Sequence, residues 1–188
     1  MSEYFDVVDI DDNLTGEKVT KAEAHAGHIL HRCVAVYVFD ADSRLYLQHH
    51  KRSGKFDHTV GGHVSAGEDY RTAALREAKE EIGMIDQDIV EVVKPYPSDE
   101  VFNPGVQISR QYHMFSIFES TPNSDWVFVP NDEVEQLSLR NLDEVVADMQ
   151  ANPSGYVPGF INSMEKYLEF RRPEIPFDAQ ACRDGWGR

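Results

Sequence analysis

The chain has 188 residues, which is enough for one domain of ordinary size and short for two. Hydrophobic residues make up 41% of it and charged residues 27%, values that are far from those of disordered or membrane-embedded chains. The formal net charge of -15 at pH 7 argues against nucleic acid as a partner, because the general field repels phosphate. A small phosphorylated ligand would need local cations, either bound metal or placed basic side chains.

The sequence also bears on where the protein works. No apolar run approaches the roughly 18 residues that a membrane-spanning helix requires. The amino end, MSEYFDVVDIDD, has neither a basic segment nor an apolar signal core. We therefore expect a cytoplasmic protein without a membrane partner. Cys33 and Cys182 are too few for a disulfide framework and lack CxxC spacing, so Cys33 is interpreted as a small core residue of a strand.

The first predicted elements are two short strands around a turn-rich loop at residues 11–16. A calcium-binding loop is excluded there, because an EF-hand would require a glycine and a glutamate where the chain has Leu14 and Thr20. Two β-rich segments follow at residues 33–40 and 44–50. The short polar turn between them is typical of a hairpin.

The rest of the chain combines further strand patterns with helical ones. Strands are predicted in DIVEVVKPY, in RQYHMFSIFES from residue 110, and in WVFV at residues 126–129. Helices are predicted at residues 70–82, 141–153 and 158–172. Together these elements predict an α+β fold in one domain, residues 1–188. Residues 1–32 would form an N-terminal hairpin with a His-rich entry loop, and residues 173–188 an irregular tail.

The predicted helix at residues 70–82 has two different sides. One side would pack on the sheet and carries Leu75, Ala78 and Ile82. Glu77, Glu80 and Glu81 share the opposite arc, where like charges repel one another by a few tenths of a kcal/mol per pair, roughly. A hard divalent ion would offset this repulsion, because magnesium prefers oxygen ligands. The alternative is a solvated helix face, which the segment EAKEE alone would suit.

The wider spacing around these glutamates favours the metal. It resembles the Nudix box, Gx5Ex7REUxEExGU with U an apolar residue, and a chance match is on the order of one in 10^8 per window. Ala78 is smaller than the usual Ile, Leu or Val, which suggests tight packing at that position. The matching residues are Gly62, Glu68, Arg76, Glu77, Ala78, Glu80, Glu81, Gly83 and Met84.

The resemblance implies a fold and a set of residue roles. In Nudix hydrolases the box forms a loop, a helix and a loop on a mixed sheet between helices, so we expect an α/β/α sandwich. The family binds Mg2+ or Mn2+, and it implies that Glu77, Glu80 and Glu81 are catalytic metal ligands. Gly61 or Gly62 would add a backbone carbonyl. Arg76 would pair with Glu68, holding the loop to the helix.

The family also implies a reaction. Nudix hydrolases split diphosphate bonds in nucleoside diphosphates linked to another group, by attack of a metal-activated water on phosphorus. The expected partner is a small diphosphate substrate, and a homodimer is a family-level expectation. A carboxylate would accept the proton, from the box or from a variable loop. The candidates are Glu77, Glu80, Glu81, Glu100, Glu133 and Glu135.

Residues 7–68 are similar to a second branch of the superfamily, the isopentenyl-diphosphate isomerases. In that branch two upstream histidines and the histidine of a Cys-Gly-His motif bind metal, and the cysteine is catalytic. His25, His31 and His63 sit at similar places, but Gly61 occupies the position of the cysteine. Isomerisation is therefore disfavoured. A ligand-binding module without turnover is a third hypothesis, against which the intact set of box carboxylates argues.

Several other side chains have both a functional and a structural interpretation. His25, His28 and His31 could hold a zinc-like ion or form a polar entry loop, since their spacing fits no strong zinc pattern. His63 is a candidate for substrate or metal contact. The basic stretch after residue 48 could meet phosphate or be a solvated loop. Its residues are His49, His50, Lys51, Arg52 and Lys55.

Specificity is expected from loops outside the box. Residues 95–111 and 151–160 are the predicted lining segments. Their aromatic residues could stack on a base or simply pack against the protein. They are Phe102, Tyr112, Tyr156 and Phe160.

Overall fold

The structure of the chain, a computed structural model, describes residues 3–51, 53–85, 87–102, 109–129, 131 and 134–185, with residues 101, 102, 109, 110 and 135 described through their backbone. The strands are β1 (Tyr4–Val8), β2 (Leu14–Thr20), β3 (His31–Val38), β4 (Arg44–His50), β5 (Phe56–Asp57), β6 (Val60–His63), β7 (Val90–Phe102), β8 (Ser109–Ser120) and β9 (Val134–Asn141). The helices are α1 (Lys21–Gly27), α2 (Tyr70–Ile82), α3 (Leu142–Ala151), α4 (Pro158–Arg171) and α5 (Ala179–Gly185). None of these described helices is long and apolar enough to cross a membrane.

The larger sheet is mixed and has β3 at its centre. Its strand order is β2-β1-β3-β8-β7, and β6 also pairs with β3. The β3 and β8 strands run parallel, whereas the other pairs in this sheet are antiparallel. A smaller sheet has the order β5-β4-β9. Because β3 is apolar at most positions, both of its faces can be buried, as a central strand requires.

Helices cover both faces of this sheet. Alternate side chains of β3 enter two separate hydrophobic clusters, one shared with α2 and the other with α3, α4 and α5. The two sets are Val34, Val36 and Val38 on the α2 side, and Cys33, Ala35 and Tyr37 on the other side. The α+β prediction of a mixed sheet between helices is confirmed.

The helix α2 begins and ends where the sequence predicts. The side chain of Asp69 caps its first turn by accepting a hydrogen bond from the backbone N–H of Thr72, 2.9 Å away. Gly83 ends it in the left-handed region, with φ at 68°. Small side chains bring the helix close to the sheet. The alanines buried against the sheet are Ala73, Ala74 and Ala78, and Ile82 is buried beside them.

The prediction that residues 33–50 form a two-stranded hairpin is wrong. A tight turn does form, since the backbone N–H of Asp40 donates to the carbonyl of Arg44 at 2.9 Å. Beyond one bridge between Phe39 and Leu45, however, the strands separate into different sheets. Here β4 pairs with β5 and β9 instead.

Other differences lie outside the box. WVFV is not a strand; its Val129 N–H donates to the carbonyl of Ile82 at 3.2 Å and covers the end of α2. The prediction missed β9. The expectation of an irregular tail is wrong at residues 179–185, because Cys182 is fully buried in the core and holds α5 in place. The prediction also missed α1, whose capping box joins Thr20 to Glu23.

Candidate active site

A cavity of about 590 Å³ lies beside the box helix. Strands β3 and β6, helix α2 and the first turn of α4 all contribute to its lining. Six carboxylates and two Lys or Arg side chains are among the lining residues of the described chain. The acidic ones are Glu3, Asp57, Glu77, Glu80, Glu81 and Glu100, and the basic ones are Lys21 and Arg76.

The Glu77 carboxyl group lies directly against Gly62, which together with Gly61 forms the segment that we call the glycine loop. A Cβ atom at Gly62 would be 2.2 Å from Cδ of Glu77, so only glycine leaves room for the carboxyl group there. Arg76 Nη1 donates to Glu77 Oε1 at 2.8 Å. Burial raises the pKa of Glu77 above its usual value, although the neighbouring guanidinium acts in the opposite direction.

Glu81 lies deeper than the helical wheel predicts. The residue is only 8% exposed and is one of the buried residues of α2, so the prediction that all three glutamates share the arc opposite the packed side is wrong for Glu81. The cavity extends beneath the last turns of the helix, which brings Glu81 Oε2 within 3.0 Å of Gln48 Nε2 and 3.3 Å of Gly61 N. Burial, and then the charge of Glu77, raise the pKa of Glu81.

Arg76 is the cation among these carboxylates. It donates to Glu68 through Nε at 3.1 Å and Nη2 at 2.9 Å, so the predicted pair is present. The same guanidinium also contacts Glu77, and it reaches Glu80 Oε2 at 3.3 Å. One guanidinium thus contacts three carboxylates, and Glu81 lies outside its reach. This all-oxygen donor set with excess negative charge fits a hard divalent ion such as Mg2+ or Mn2+.

A second group of metal-binding side chains lies on the same cavity. One nitrogen from each of four histidines lies within 4.8 Å of the other three. These histidines come from α1, β3, β6 and β8, and they are His25, His31, His63 and His113. The sequence reading missed His113, because only the parallel register of β3 with β8 places it opposite His31. We call these four residues the histidine cluster.

The grouping of His28 with His25 and His31 is wrong. His28 is the cap residue of α1 in the left-handed conformation, with φ at 52°. Its Nε2 lies 2.9 Å from Asp99 Oδ1, and its ring stacks on Tyr112 at 5.1 Å. This end of α1 therefore directs His28 away from the cluster.

Burial lowers the pKa of every histidine in the cluster. The pKa falls to about 4 for His25 and to about 3 for His31. It falls to about 3 for His113 and well below the usual value for His63. Desolvation is the largest cause in each case, because the low-dielectric surroundings disfavour the charged imidazolium.

Glu100 is a residue of β7, and it lies on another part of the cavity wall, beside the first turn of α4. It is 2% exposed, and burial raises its pKa to about 8. A Cβ atom at Gly159 would lie 2.8 Å from Glu100 Oε2, so glycine is needed for this approach. Of the other loop candidates for the general base, Glu133 and the side chain of Glu135 lie outside the described residues.

Only some of the predicted phosphate-binding residues line the cavity. His63 and His50 line the cavity, but Lys51 and Lys55 are not among its lining residues. The ammonium group of Lys55 donates instead to the carbonyl of Ser154 at 2.7 Å. Arg52 lies outside the described residues. Lys21 lines the cavity and was missed, because its helix α1 was not predicted.

The aromatic candidates divide in a similar way. Tyr156 and Phe160 are fully buried in the core, so the packing interpretation holds for both. Tyr112 stacks on His28. The side chain of Phe102 lies outside the described residues.

The chain is similar to several known proteins. An uncharacterized Nudix hydrolase of Streptomyces coelicolor is 40% identical over 88 residues, 43% of this chain and 47% of that relative, so the match spans about half of its length. The isopentenyl-diphosphate Delta-isomerase of Serratia proteamaculans is 25% identical over 88% of this chain and 91% of its own. A crystal structure from Deinococcus radiodurans has a TM-score of 0.68 at 19% identity, and the match covers 90% of this chain and 100% of that one.

The family pattern described as NUDIX domain matches residues 29–159, which is well over half of the chain. The match includes the glycine loop, α2 and the carboxylates at the cavity wall. The chain therefore belongs to the NUDIX domain family.

Proposed function

We propose that this chain is a hydrolase that splits a diphosphate bond in a nucleoside diphosphate derivative. In this proposal residues 1–188 form one domain, and Glu77, Glu80 and Glu81 hold Mg2+ or Mn2+. The observation that carries it is the convergence of three carboxylates on one cavity wall, where the guanidinium of Arg76 contacts Glu77 and Glu80 and leaves Glu81 to Gln48 and the Gly61 N–H. A solvated helix face would not place Glu81 in a buried position beside Glu77.

The chain's own residues would position the reacting groups. When bound, the ion would neutralise diphosphate oxygens and lower the pKa of a coordinated water. Gln48 and the Gly61 N–H fix the Glu81 carboxyl group, and the bidentate Arg76 contact with Glu68 holds the glycine loop to α2. We also propose that the carbonyl of Gly61 takes part in binding the ion.

The proton of the attacking water needs an acceptor. Glu77, Glu80 and Glu81 are candidates within the box, and Glu100 is a candidate on the wall formed by β7. Substitution of each by glutamine, with kcat and metal affinity measured separately, would distinguish the two roles. Loss of a ligand weakens metal binding, whereas loss of a base lowers kcat with the metal site intact.

Glu80→Gln tests the proposal directly. We expect Mg2+-dependent turnover to fall on the order of 100-fold or more, beyond what loss of an outer-shell partner usually causes. The matched control is Glu169→Gln on α4, because Glu169 and Glu80 side chains are both 56% exposed and both pair with one cation. Full metal-dependent turnover in Glu80→Gln would contradict the assignment.

The substrate can be found by screening. Nucleotide sugars, dinucleoside polyphosphates, NADH, coenzyme A and nucleoside triphosphates each contain a diphosphate bond linked to a different group. The screen would measure release of a phosphorylated product with Mg2+ and with chelator. A strictly Mg2+-dependent product identifies the class that the cavity accepts.

Isomerisation of a prenyl diphosphate is the second candidate. The Serratia isomerase matches along most of this chain, and His25, His31 and His63 do come together. Against it, Gly61 stands at the cysteine position. Cys33 lines the cavity across from His63, but burial raises the pKa of its thiol and keeps it protonated.

One assay separates the candidates. Incubation with isopentenyl diphosphate would give dimethylallyl diphosphate if the chain is an isomerase. A hydrolase would leave the double bond in place and release a phosphorylated product from a nucleotide substrate. A module that only binds its ligand would do neither, although the ligand would still raise its melting temperature.

A further inference from the structure

We propose that Gln48, His50 and Asp57 form a subsite for the hydroxyl groups of a sugar or polyol attached to the diphosphate. This inference rests on the proposed hydrolysis, because the box carboxylates beside the subsite would hold the ion that binds the diphosphate. The three residues come from β4 and β5, on the part of the cavity wall that the smaller sheet forms. We call them the β4–β5 subsite.

The strand geometry brings the three side chains of the β4–β5 subsite together. Gln48 and Asp57 lie opposite each other in the antiparallel pairing of β4 with β5. Side chains that are directly opposite in such a pair project from the same face, with Cβ atoms about 4.5–5.5 Å apart. His50 follows Gln48 by two residues, and side chains two apart on a strand share a face. All three line the cavity, so a bound substrate would meet this face.

The β4–β5 subsite adjoins the box carboxylates. Gln48 Nε2 donates to Glu81 Oε2 at 3.0 Å, and Gln48 is only 4% exposed, so its side chain has a fixed position. A diphosphate held beside Glu81 would therefore place the next group of the substrate against Gln48 and Asp57. A sugar or polyol phosphate carries its first hydroxyl on the carbon beside the ester carbon. That hydroxyl would lie within reach of the subsite.

Asp57 offers a carboxylate oxygen to the cavity. Its Oδ1 accepts from the backbone N–H of His58 at 2.8 Å, and the same oxygen lies 2.8 Å from His58 Nδ1. These contacts orient the carboxylate, whose Oδ2 has no hydrogen-bond partner among the described residues. A carboxylate oxygen accepts hydrogen bonds, and an acidic side chain binds ribose hydroxyls in this way in dinucleotide-binding folds. Asp57 is therefore suited to accept from a substrate hydroxyl.

His50 offers the complementary donor. The backbone N–H of Ser53 donates to His50 Nδ1 at 3.3 Å. A backbone N–H can only donate, so Nδ1 carries the lone pair and Nε2 carries the hydrogen. The subsite thus combines an N–H donor with the carboxylate acceptor of Asp57. A hydroxyl group both donates and accepts, so two neighbouring hydroxyls on a sugar could satisfy both side chains.

The cavity lining disfavours two other chemical groups at this place. Nucleobases are commonly held by stacking on an aromatic ring. Among the lining residues that the structure describes, Phe115 is the only Phe, Tyr or Trp, and it is 6% exposed and belongs to β8. A further phosphate would be repelled by the Asp57 carboxylate. An amine could pair with that carboxylate, so the experiment includes one.

Four esters of ADP test the subsite, because they share the nucleotide and differ only in the attached group. The groups are glucose, glycerol, methyl and 2-aminoethyl. The Mg2+-dependent kcat/KM of the full chain would be measured for each ester from the release of AMP. We expect the glucose or the glycerol ester to exceed the methyl ester by about 100-fold or more, because a site built to bond a hydroxyl rejects an analogue that lacks it.

Variants assign this preference to its residues. Asp57→Asn keeps an oxygen that can accept from His58 and replaces Oδ2 by an amide group that only donates. The kcat/KM for the preferred ester relative to the methyl ester should fall about 10-fold or more, mainly through KM, since a hydrogen bond to a charged group is lost. His50→Phe keeps a ring without the N–H donor and should lower the same ratio.

Asp12→Asn is the matched control. The Asp12 and Asp57 side chains are 22% and 21% exposed, and Asp12 does not line the cavity. Asparagine tolerates the left-handed φ of 64° at this position. The variant should therefore keep the wild-type ratio of kcat/KM values. Circular dichroism would establish that all three variants are folded.

The outcomes separate this inference from the proposed hydrolysis. Equal kcat/KM for all four esters, or a preference for the 2-aminoethyl ester, would overturn the subsite and leave hydrolysis standing. An unchanged ratio in both Asp57→Asn and His50→Phe would also overturn it. If no ester were hydrolysed, calorimetry with Mg2+ would compare their binding. Tighter binding of the glucose or glycerol ester than of the methyl ester would then support the subsite alone, and absence of binding would overturn both proposals.

Discussion

The box carboxylates and the histidine cluster line one cavity, yet they differ in charge, hydration and origin. The carboxylates are anionic, and Glu80 is largely exposed at the end of a set that one guanidinium cannot neutralise. Two rings of the histidine cluster stack on Phe5, and desolvation lowers the pKa of all four histidines. The contrast teaches that one cavity presents two types of donor, acidic oxygens that come from a single helix and imidazole nitrogens that come from four separate elements.

A substitution in the glycine loop should disrupt the box carboxylates and leave the histidine cluster unchanged. Gly62→Ala should lower Mg2+-dependent turnover by about 10- to 100-fold, because the new Cβ occupies the space of the Glu77 carboxyl group. Gly61→Ala is the matched control, since its nearest neighbour is 3.4 Å away. Equal turnover in the two variants would show that the Glu77 position is not restricted by the loop.

Glu68→Gln tests how the loop holds the carboxylates. Arg76 would lose a bidentate partner, so its remaining contacts with Glu77 and Glu80 should shift. We expect about a 10-fold weaker apparent affinity for Mg2+ and a smaller change in kcat at saturating metal. A titration of turnover against Mg2+ concentration checks this. If kcat alone fell, Glu68 would act on the reaction by some route other than the metal.

Phe5→Leu tests the packing of the histidine cluster. The variant removes the ring that stacks on His31 and His63. It should reduce the free energy of unfolding by about 1–2 kcal/mol, because a buried ring is lost. Phe170→Leu is the control, because Phe170 is exposed on α4. An unchanged free energy of unfolding in Phe5→Leu would mean that stacking on His31 and His63 does not stabilise the fold.

The smallest effect is expected at His28. His28→Ala removes a contact with Asp99 and a stacking contact with Tyr112 near the surface. The free energy of unfolding should change by no more than about 1 kcal/mol, because exposed pairs contribute little. Urea denaturation measures it. A much larger loss of stability would contradict the structure, because it would place His28 in the buried core.

The sequence predicts those parts of the site that one local segment determines. Glu77 and Glu80 come from one helix, whose spacing alone places them together, and Glu68 lies eight residues before Arg76 on the adjoining loop. The depth of Glu81 does not follow from the helix, since it depends on where Gln48 of another sheet lies.

The histidine cluster shows the opposite case. His25 lies on a short helix with a weak apolar pattern, and His113 lies in a strand whose neighbours only the fold defines. The prediction of an irregular tail fails at residues 179–185 for a similar reason. Its composition is that of a loop, but Cys182 finds a place in the core that only tertiary packing provides.

The parallel pairing of β3 with β8 has a consequence for folding. His31 meets His113 only in one register, and a slip by one residue would turn the second ring to the opposite face of the sheet. Parallel strands far apart in the chain pair slowly, because a long loop must close first. The assembly of the four rings therefore depends on a single pairing between two strands that are distant in the chain.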